Sequence, residues 1–330
     1  MPRRRKGRDV HGWLVIDKPA GIGSTDVVTR VRRELDARKA GHAGTLDPAA
    51  TGVLAVALGE ATKCVPFLQD AAKTYEFAVR FGAATDSDDA EGEVIGRTGT
   101  IPDEEAVRAA LPALTGEIMQ IPPRFSAVKV GGERAYDLAR DGEAVDLAPR
   151  PLTVHALALD RMEGDTAHLT MTCGKGGYVR SIARDLGPLT GSLAHCLRLR
   201  RTRSGPFAAG DGLTLDALGA MAPEEIEARL LPPQAALSLP EVRATEAGAA
   251  RLRNGNPGEA VPAGPLDWGD TAFATRSGTI LAIGRWQGGM LAPDRVLNMP
   301  VEPSSAAAIC APAAPAPMRR TRTAAPIATP

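Results

Sequence analysis

Two short stretches constrain the fold of this chain more than any others. Over Lys73–Phe81 apolar and polar side chains alternate, so that Tyr75, Phe77, Val79 and Phe81 share one face of a strand. Thr166–Cys173 repeats the pattern, with Ala167, Leu169, Met171 and Cys173 turned inward. Helical patterns lie around these strands. Val179, Ile182, Ala183 and Leu186 form the apolar stripe of a helix over 179–189. A helix capped by Ser24 or Thr25 and running to about Ala37 places Val27, Val28, Val31 and Leu35 on one face, with Arg30, Arg32 and Arg33 outside. Another is expected after Pro102, where Asp103, Glu104 and Glu105 complement the helix dipole. Strands and helices mix without a regular βαβ repeat. That predicts an α+β fold on a mixed, largely antiparallel central sheet flanked by helices.

Composition divides the remainder. With 330 residues, 44% of them hydrophobic, the chain has room for one large domain and a smaller one. Residues 1–10, with Arg3, Arg4, Arg5, Lys6 and Arg8, read as a basic mobile arm. The main domain is expected over 11–240. It opens on a strand at Gly12–Asp17, passes through the loop 18–23, and contains a near-continuous apolar run at 52–58 that reads as a segment buried on both sides. Residues 122–150 form an excursion with Arg124, Lys129, Arg134 and Arg140, the pair Gly131-Gly132 and a short helix around 133–142. A compact unit over 241–299 follows, with short strands near 271–275 and 279–285. Past Pro300 the chain is rich in Ala and Pro, which predicts disorder over 300–330.

Lys and Arg together number 39, as do Asp and Glu, so net charge identifies no partner. Its distribution says more: seven basic residues lie between Lys175 and Arg203 against one acid, Asp185. A local basic stripe on a neutral protein can still hold a polyanion, because phosphate contacts are local. The four cysteines are scattered, none in a Cys-x-x-Cys pair, so neither a disulfide framework nor a zinc site is expected and a reducing cytoplasm fits. No apolar run reaches the length of a membrane span, and the basic N-terminus lacks the apolar stretch of a secretory signal. Gly174-Lys175-Gly176-Gly177 lacks the spacing of a phosphate-binding loop.

The segment most informative about chemistry is Gly41-His42-Ala43-Gly44-Thr45-Leu46-Asp47-Pro48-Ala49-Ala50-Thr51-Gly52. Its glycines permit tight turns and Pro48 fixes φ just after the acid, so Asp47 is presented on a braced loop. Four further motifs stand in order around it: Asp17-Lys18-Pro19-Ala20-Gly21, Lys73-Thr74-Tyr75, Gly177-Tyr178-Val179-Arg180-Ser181-Ile182 and Leu197-Arg198-Leu199-Arg200-Arg201-Thr202. Together these closely resemble the TruB family of tRNA pseudouridine synthases, over about residues 11–205 and more loosely to 298.

The resemblance implies a pseudouridine synthase fold with a small PUA-like β unit at the C-terminal end. It implies isomerisation of uridine to pseudouridine at position 55 in the T-loop of tRNA, without cofactor or metal, by a cytoplasmic monomer. That monomer needs no guide RNA or protein partner. By analogy with the family, Asp47 is the catalytic carboxylate, acting on C1′ or C6 or abstracting a proton, and Arg180 pairs with it. Tyr75 stacks on the target base and assists deprotonation, Tyr178 and Leu199 wall the uracil pocket, and His42 helps hold the loop with its base out. Asp89 helps to order the site, Lys18 and Lys129 contact phosphate, and residues 122–150 form a thumb that closes on the T-arm. Two other classes stay open on the sequence. One is an RNA-binding protein whose main work is remodelling the T-arm. The other is a guide-RNA-dependent synthase of the related dyskerin type.

Overall fold

The computed structural model describes residues 7–126, 128–130, 133–134 and 147–300, with side chains left aside at 129, 130, 133 and 134. The first half of the chain carries β1 (Gly12–Lys18), α1 (Ser24–Glu34), β2 (Ala40–His42), β3 (Thr51–Leu58), α2 (Val65–Asp70), β4 (Lys73–Phe81), β5 (Ala83–Thr85), β6 (Val94–Arg97), α3 (Glu104–Ala110) and β7 (Gly116–Gln120). A minimal hairpin, β8 (Lys129–Val130) and β9 (Glu133–Arg134), follows. The main sheet is completed by β10 (Arg150–Glu163), β11 (Thr166–Cys173), α4 (Val179–Leu189), β12 (Ala194–Ser204) and β13 (Phe207–Ala208).

The strand order is β1-β3-β12-β4-β11-β10-β7, with β2 added on β3 and β13 on β12. Every pairing is antiparallel except β3 with β12. The expected mixed, largely antiparallel sheet flanked by helices is therefore observed. The alternation that revealed β4 and β11 is the reason they pair: Phe77 lies opposite Leu169 and Tyr75 opposite Met171 in one register. That inner face packs on α4 through Ile182, Ala183 and Leu186. Phe77, Leu169, Met171 and Leu186 are all essentially buried, each worth about 1.5–3 kcal/mol relative to exposure.

After α5 (Leu215–Ala220) and α6 (Pro223–Glu227), the C-terminal unit is a closed barrel. Its strands are β14 (Glu241–Ala244), β15 (Gly258–Pro262), β16 (Thr271–Arg276), β17 (Thr279–Trp286) and β18 (Met290–Val296), with α7 (Glu246–Arg253) between the first two. The barrel and the main sheet share an apolar cluster. Phe273, Ile280, Ile283 and Leu297 from the barrel pack with Trp13, Ala61, Cys64 and Leu68. No helix among the described residues is long and apolar enough to cross a membrane.

Three local expectations are corrected. The arm over 1–10 is fastened at its end: the Arg8 N–H donates to the Asp36 carbonyl at 2.6 Å, the Arg38 N–H donates to the Arg8 carbonyl at 2.9 Å, and Val10 is buried. Residues 1–6 lie outside the described residues. Helix α1 stops at Glu34 rather than Ala37, because Asp36 turns back at φ +44° and Ala37 bridges to Arg8. Glu133 does not begin a helix but pairs with Val130 in β9. The remainder of that expected helix, residues 135–142, and the tail past 300 lie outside the described residues.

Candidate active site

The Asp47 loop is the turn of the hairpin between β2 and β3, entered at His42 opposite Val56. Gly44 and Gly52 take φ of +99° and +100°, which an L side chain rarely adopts. At Gly52 the need is double: a Cβ there would stand 2.1 Å from the Arg201 carbonyl oxygen, where β3 and β12 run side by side. The loop carries no helix or ladder of its own to hold it. Its backbone carbonyls are instead gripped from three sides.

Lys18, at the end of β1, is fully buried and donates to the carbonyls of Pro19, Ile22 and Pro48 at 2.9, 2.8 and 3.0 Å. Burial pushes its pKa down to about 8, which leaves it charged at neutral pH. All three of its protons are engaged with backbone, which corrects its assignment as a phosphate contact. Arg201, 2% exposed, donates from Nε to the Val53 carbonyl at 2.8 Å, from Nη2 to Gly44 at 3.0 Å and from Nη1 to Thr45 at 3.3 Å. Ser24 hydrogen-bonds both the N–H and the carbonyl of Leu46. It therefore does not cap α1, whose N-cap is Gly23 without a side-chain bond.

Asp47 projects from this held loop toward α4. Its Oδ2 is 3.0 Å from Arg180 Nε, and Arg180 Nη1 is 3.3 Å from Asp89 Oδ2. The same guanidinium donates to the carbonyls of Ser87 and Phe125 at 3.0 and 2.8 Å. The Arg180 side chain is 7% exposed, whereas that of Asp47 keeps 41% of its surface. Yet burial is the largest influence on the Asp47 carboxyl, which is raised above the ordinary carboxylate value. Asp89 adds to the rise; Arg180 and Lys18 oppose it. The acid is thus partly open to solvent and crowded by protein on its other sides.

Tyr75 stands nearby on β4, 8% exposed, its register partner on β12 being Arg201. Burial raises its phenol and the Arg201 guanidinium works the other way. Tyr178, just before α4, has its backbone held by a reciprocal pair of bonds with the Gln120 side chain, 2.9 and 3.1 Å long. Its ring packs against Val128 and Leu147. Leu199 lies half-buried opposite Phe77, on the inner face. His42 is half-buried, and its Nδ1 has no hydrogen-bond partner among the described residues. Burial first and Arg201 second lower its pKa, which keeps the ring neutral at pH 7. Lys129 lies in β8, and its side chain is outside the described residues, as are residues 127, 131–132 and 135–146 of the expected thumb.

The turn that brings Asp89 is itself tied down. Asp88 sits at φ +61°, and its carboxylate meets Arg184 of α4 at 3.0 Å. Arg184 and Ser181 both donate to the Ile121 carbonyl, at 2.9 and 2.8 Å. One face of α4 thus anchors both the acidic turn and the segment around 121–125.

Comparison with known proteins fits this geometry. The pattern of the TruB family pseudouridylate synthase N-terminal domain matches residues 32–179, and that of the tRNA pseudouridylate synthase B C-terminal domain matches 180–238. The chain belongs to the TruB family. It is therefore a pseudouridine synthase, an isomerase. A curated relative named tRNA pseudouridine synthase B, from Paracoccus denitrificans, is 60% identical over 90% of this chain and 99% of its own length. One of the same name from Bradyrhizobium diazoefficiens is 46% identical over 90% and 88%. Among solved structures, the crystal structure of a Cbf5-Nop10-Gar1 complex aligns at TM-score 0.68 with 27% identity, over 88% of this chain and 85% of that one. A structure of an H/ACA RNP bound to a substrate RNA containing 2′-deoxyuridine shares the fold at TM-score 0.67.

In this TruB-family chain, sequence reasoning singled out neither Ser24 nor Arg201 for the site. Arg201 had a signal: it stands between Arg200, which makes a bidentate bond with Asp17, and Thr202, on a strand whose alternation turns it inward.

Proposed function

We propose that this synthase converts uridine 55 in the T-loop of tRNA to pseudouridine, working alone and in the cytoplasm, with Asp47 as the reacting carboxylate. The reading rests above all on one observation: a partly exposed acid 3.0 Å from a buried arginine that shares a second carboxylate. The bond between N1 and C1′ of the uridine breaks, the base turns, and C5 bonds to C1′. The proton on C5 leaves and one returns to N1, so no atom is gained or lost overall. Such a step needs an ionised carboxylate near the sugar and a base held away from its neighbours.

Arg180 supports the ionised form of Asp47 and aims it. Tyr75 offers a flat, buried ring against which a flipped base stacks, with Tyr178 and Leu199 as further walls. A stacked uridine must leave its stack first, at a cost of a few kcal/mol that stacking and backbone contacts offset. Asp89 fixes the other side of Arg180, and neutral, half-buried His42 contacts the opened T-loop. The names of the relatives support tRNA as substrate.

Purified protein is expected to form pseudouridine at position 55 of an unmodified tRNA transcript without added guide RNA, as read by base-resolution mapping. Asp47→Asn should bind the transcript and form none. Product at that site from the Asn variant would sink the carboxylate role. No product from the unaltered protein alone would favour a guide-dependent synthase.

A further inference from the structure

We propose that Ser24 is a positioning residue for Asp47, its hydroxyl locking both polar groups of the Leu46 peptide so that the carboxylate is aimed before substrate arrives. This rests on the reading of Asp47 as the reacting group. Ser24 is the first residue of α1, one position inside its N-cap Gly23, and its hydroxyl points to the Asp47 loop instead of its own helix. The hydroxyl is 2.8 Å from the Leu46 carbonyl, to which it donates, and 2.8 Å from the Leu46 N–H, from which it accepts.

Both bonds are buried, and Ser24 and Leu46 are each only 4% exposed. A residue pinned at its N–H and its carbonyl has little freedom in φ or ψ. On the other side of Asp47, the Pro48 carbonyl is held at 3.0 Å by Lys18 and at 2.9 Å by the Gly21 N–H. The acid therefore lies between two held stretches of backbone, and Arg180 meets its carboxylate.

The two bonds of Ser24 hold both peptide planes that flank Leu46, the second of which enters Asp47. Positional error at a reacting group is expensive: a displacement of about 1 Å can lower a rate on the order of a hundredfold.

The test compares Ser24→Ala with the unaltered protein in single-turnover pseudouridine formation on saturating tRNA. The rate constant should fall roughly tenfold to a hundredfold, while the Kd for tRNA and the circular dichroism spectrum stay unchanged. The acid limb of the pH–rate profile is the decisive readout. Asp47 faces Arg180 from α4, Asp89 from the acidic turn, Lys18 from β1, and the phenols of Tyr75 and Tyr178. Of these, Arg180 most favours its ionised form. A loosened loop weakens that pair, so the limb should move to higher pH. A mere loss of folded protein would lower the rate at every pH and leave the limb in place.

A wild-type rate in Ser24→Ala, or a lowered rate with an unmoved limb, overturns the inference. Should the Ala variant not fold, Ser24→Cys decides. Its near-isosteric thiol is a weak hydrogen-bonding group, so an intermediate rate with a shifted limb is expected and a wild-type profile overturns it. Activity in Asp47→Asn would instead remove the mechanism on which this inference rests. An inactive Asp47→Asn beside a fully active Ser24→Ala would remove this inference alone.

Discussion

The two supports of Asp47, the floor beneath its loop and the wall formed by α4, hold cations with different partners. On the floor, Lys18 and Arg201 are engaged with main-chain carbonyls. On the wall, Arg180 meets two carboxylates, Asp47 and Asp89, and Arg184 meets Asp88 and Asp185. A carbonyl is a neutral dipole whose position belongs to the backbone, so a cation bound to several of them freezes a loop. A carboxylate titrates, so a cation bound to it also governs charge. The floor is built for shape and the wall for ionisation.

That contrast can be broken or sharpened by substitution. The largest effect on stability is expected from Arg201→Met, which leaves the carbonyls of Gly44, Thr45 and Val53 without this donor. Buried carbonyls that lose a partner cost about 1–3 kcal/mol each, so the Tm should drop by roughly 6 °C or more in calorimetry. A Tm within a degree of the parent would mean that the floor does not depend on this cation.

On the wall, Arg180→Lys keeps the charge and loses the fork that reaches Asp47, Asp89 and two carbonyls together. Activity should fall about a hundredfold, and the Tm should fall by less than in Arg201→Met, since the ammonium keeps the charge and part of the hydrogen bonding. The pH dependence follows with a definite sign. In the parent, the Asp47 pKa is raised by burial, so acidification should abolish activity at a pH above the ordinary carboxylate value. A less well placed cation opposes that rise less, and the limb should move further up. Downward movement in Arg180→Lys would contradict the assignment of the wall.

The smallest effect is expected at Arg198, exposed on the outer face of β12 with no side-chain partner among the described residues. It borders two open hollows of about 680 and 570 Å³ that neither Asp47 nor Arg180 lines. Arg198→Ala should leave stability within about 0.5 kcal/mol and turnover unchanged. A large loss of turnover would mean that the outer face takes part in binding RNA.

The frame and the wall were legible in the sequence for different reasons. β4, β11 and α4 follow from period-2 and period-3.6 patterns, because burial of one face writes itself into every second or every third to fourth residue. Asp47, Tyr75 and Arg180 were read from ordered motifs, and the structure sets Arg180 3.0 Å from Asp47 with Tyr75 nearby. The floor was not legible. Every residue owns a carbonyl, so nothing in the chain marks which carbonyls Lys18 will find. Ser24 misled for the same reason: at the start of a helix a serine hydroxyl looks like a cap until the chain brings Leu46 beside it.

The apolar cluster beneath Trp13 has a mechanical consequence. Trp13 also donates from Nε1 to the Pro233 carbonyl, and the strand that carries it ends five residues later at Lys18. Whatever loosens the C-terminal barrel lets water reach one end of a single rigid rod, and the other end of that rod steadies the Asp47 loop. A module far from the chemistry thereby becomes a guardian of its alignment, with no need to touch RNA.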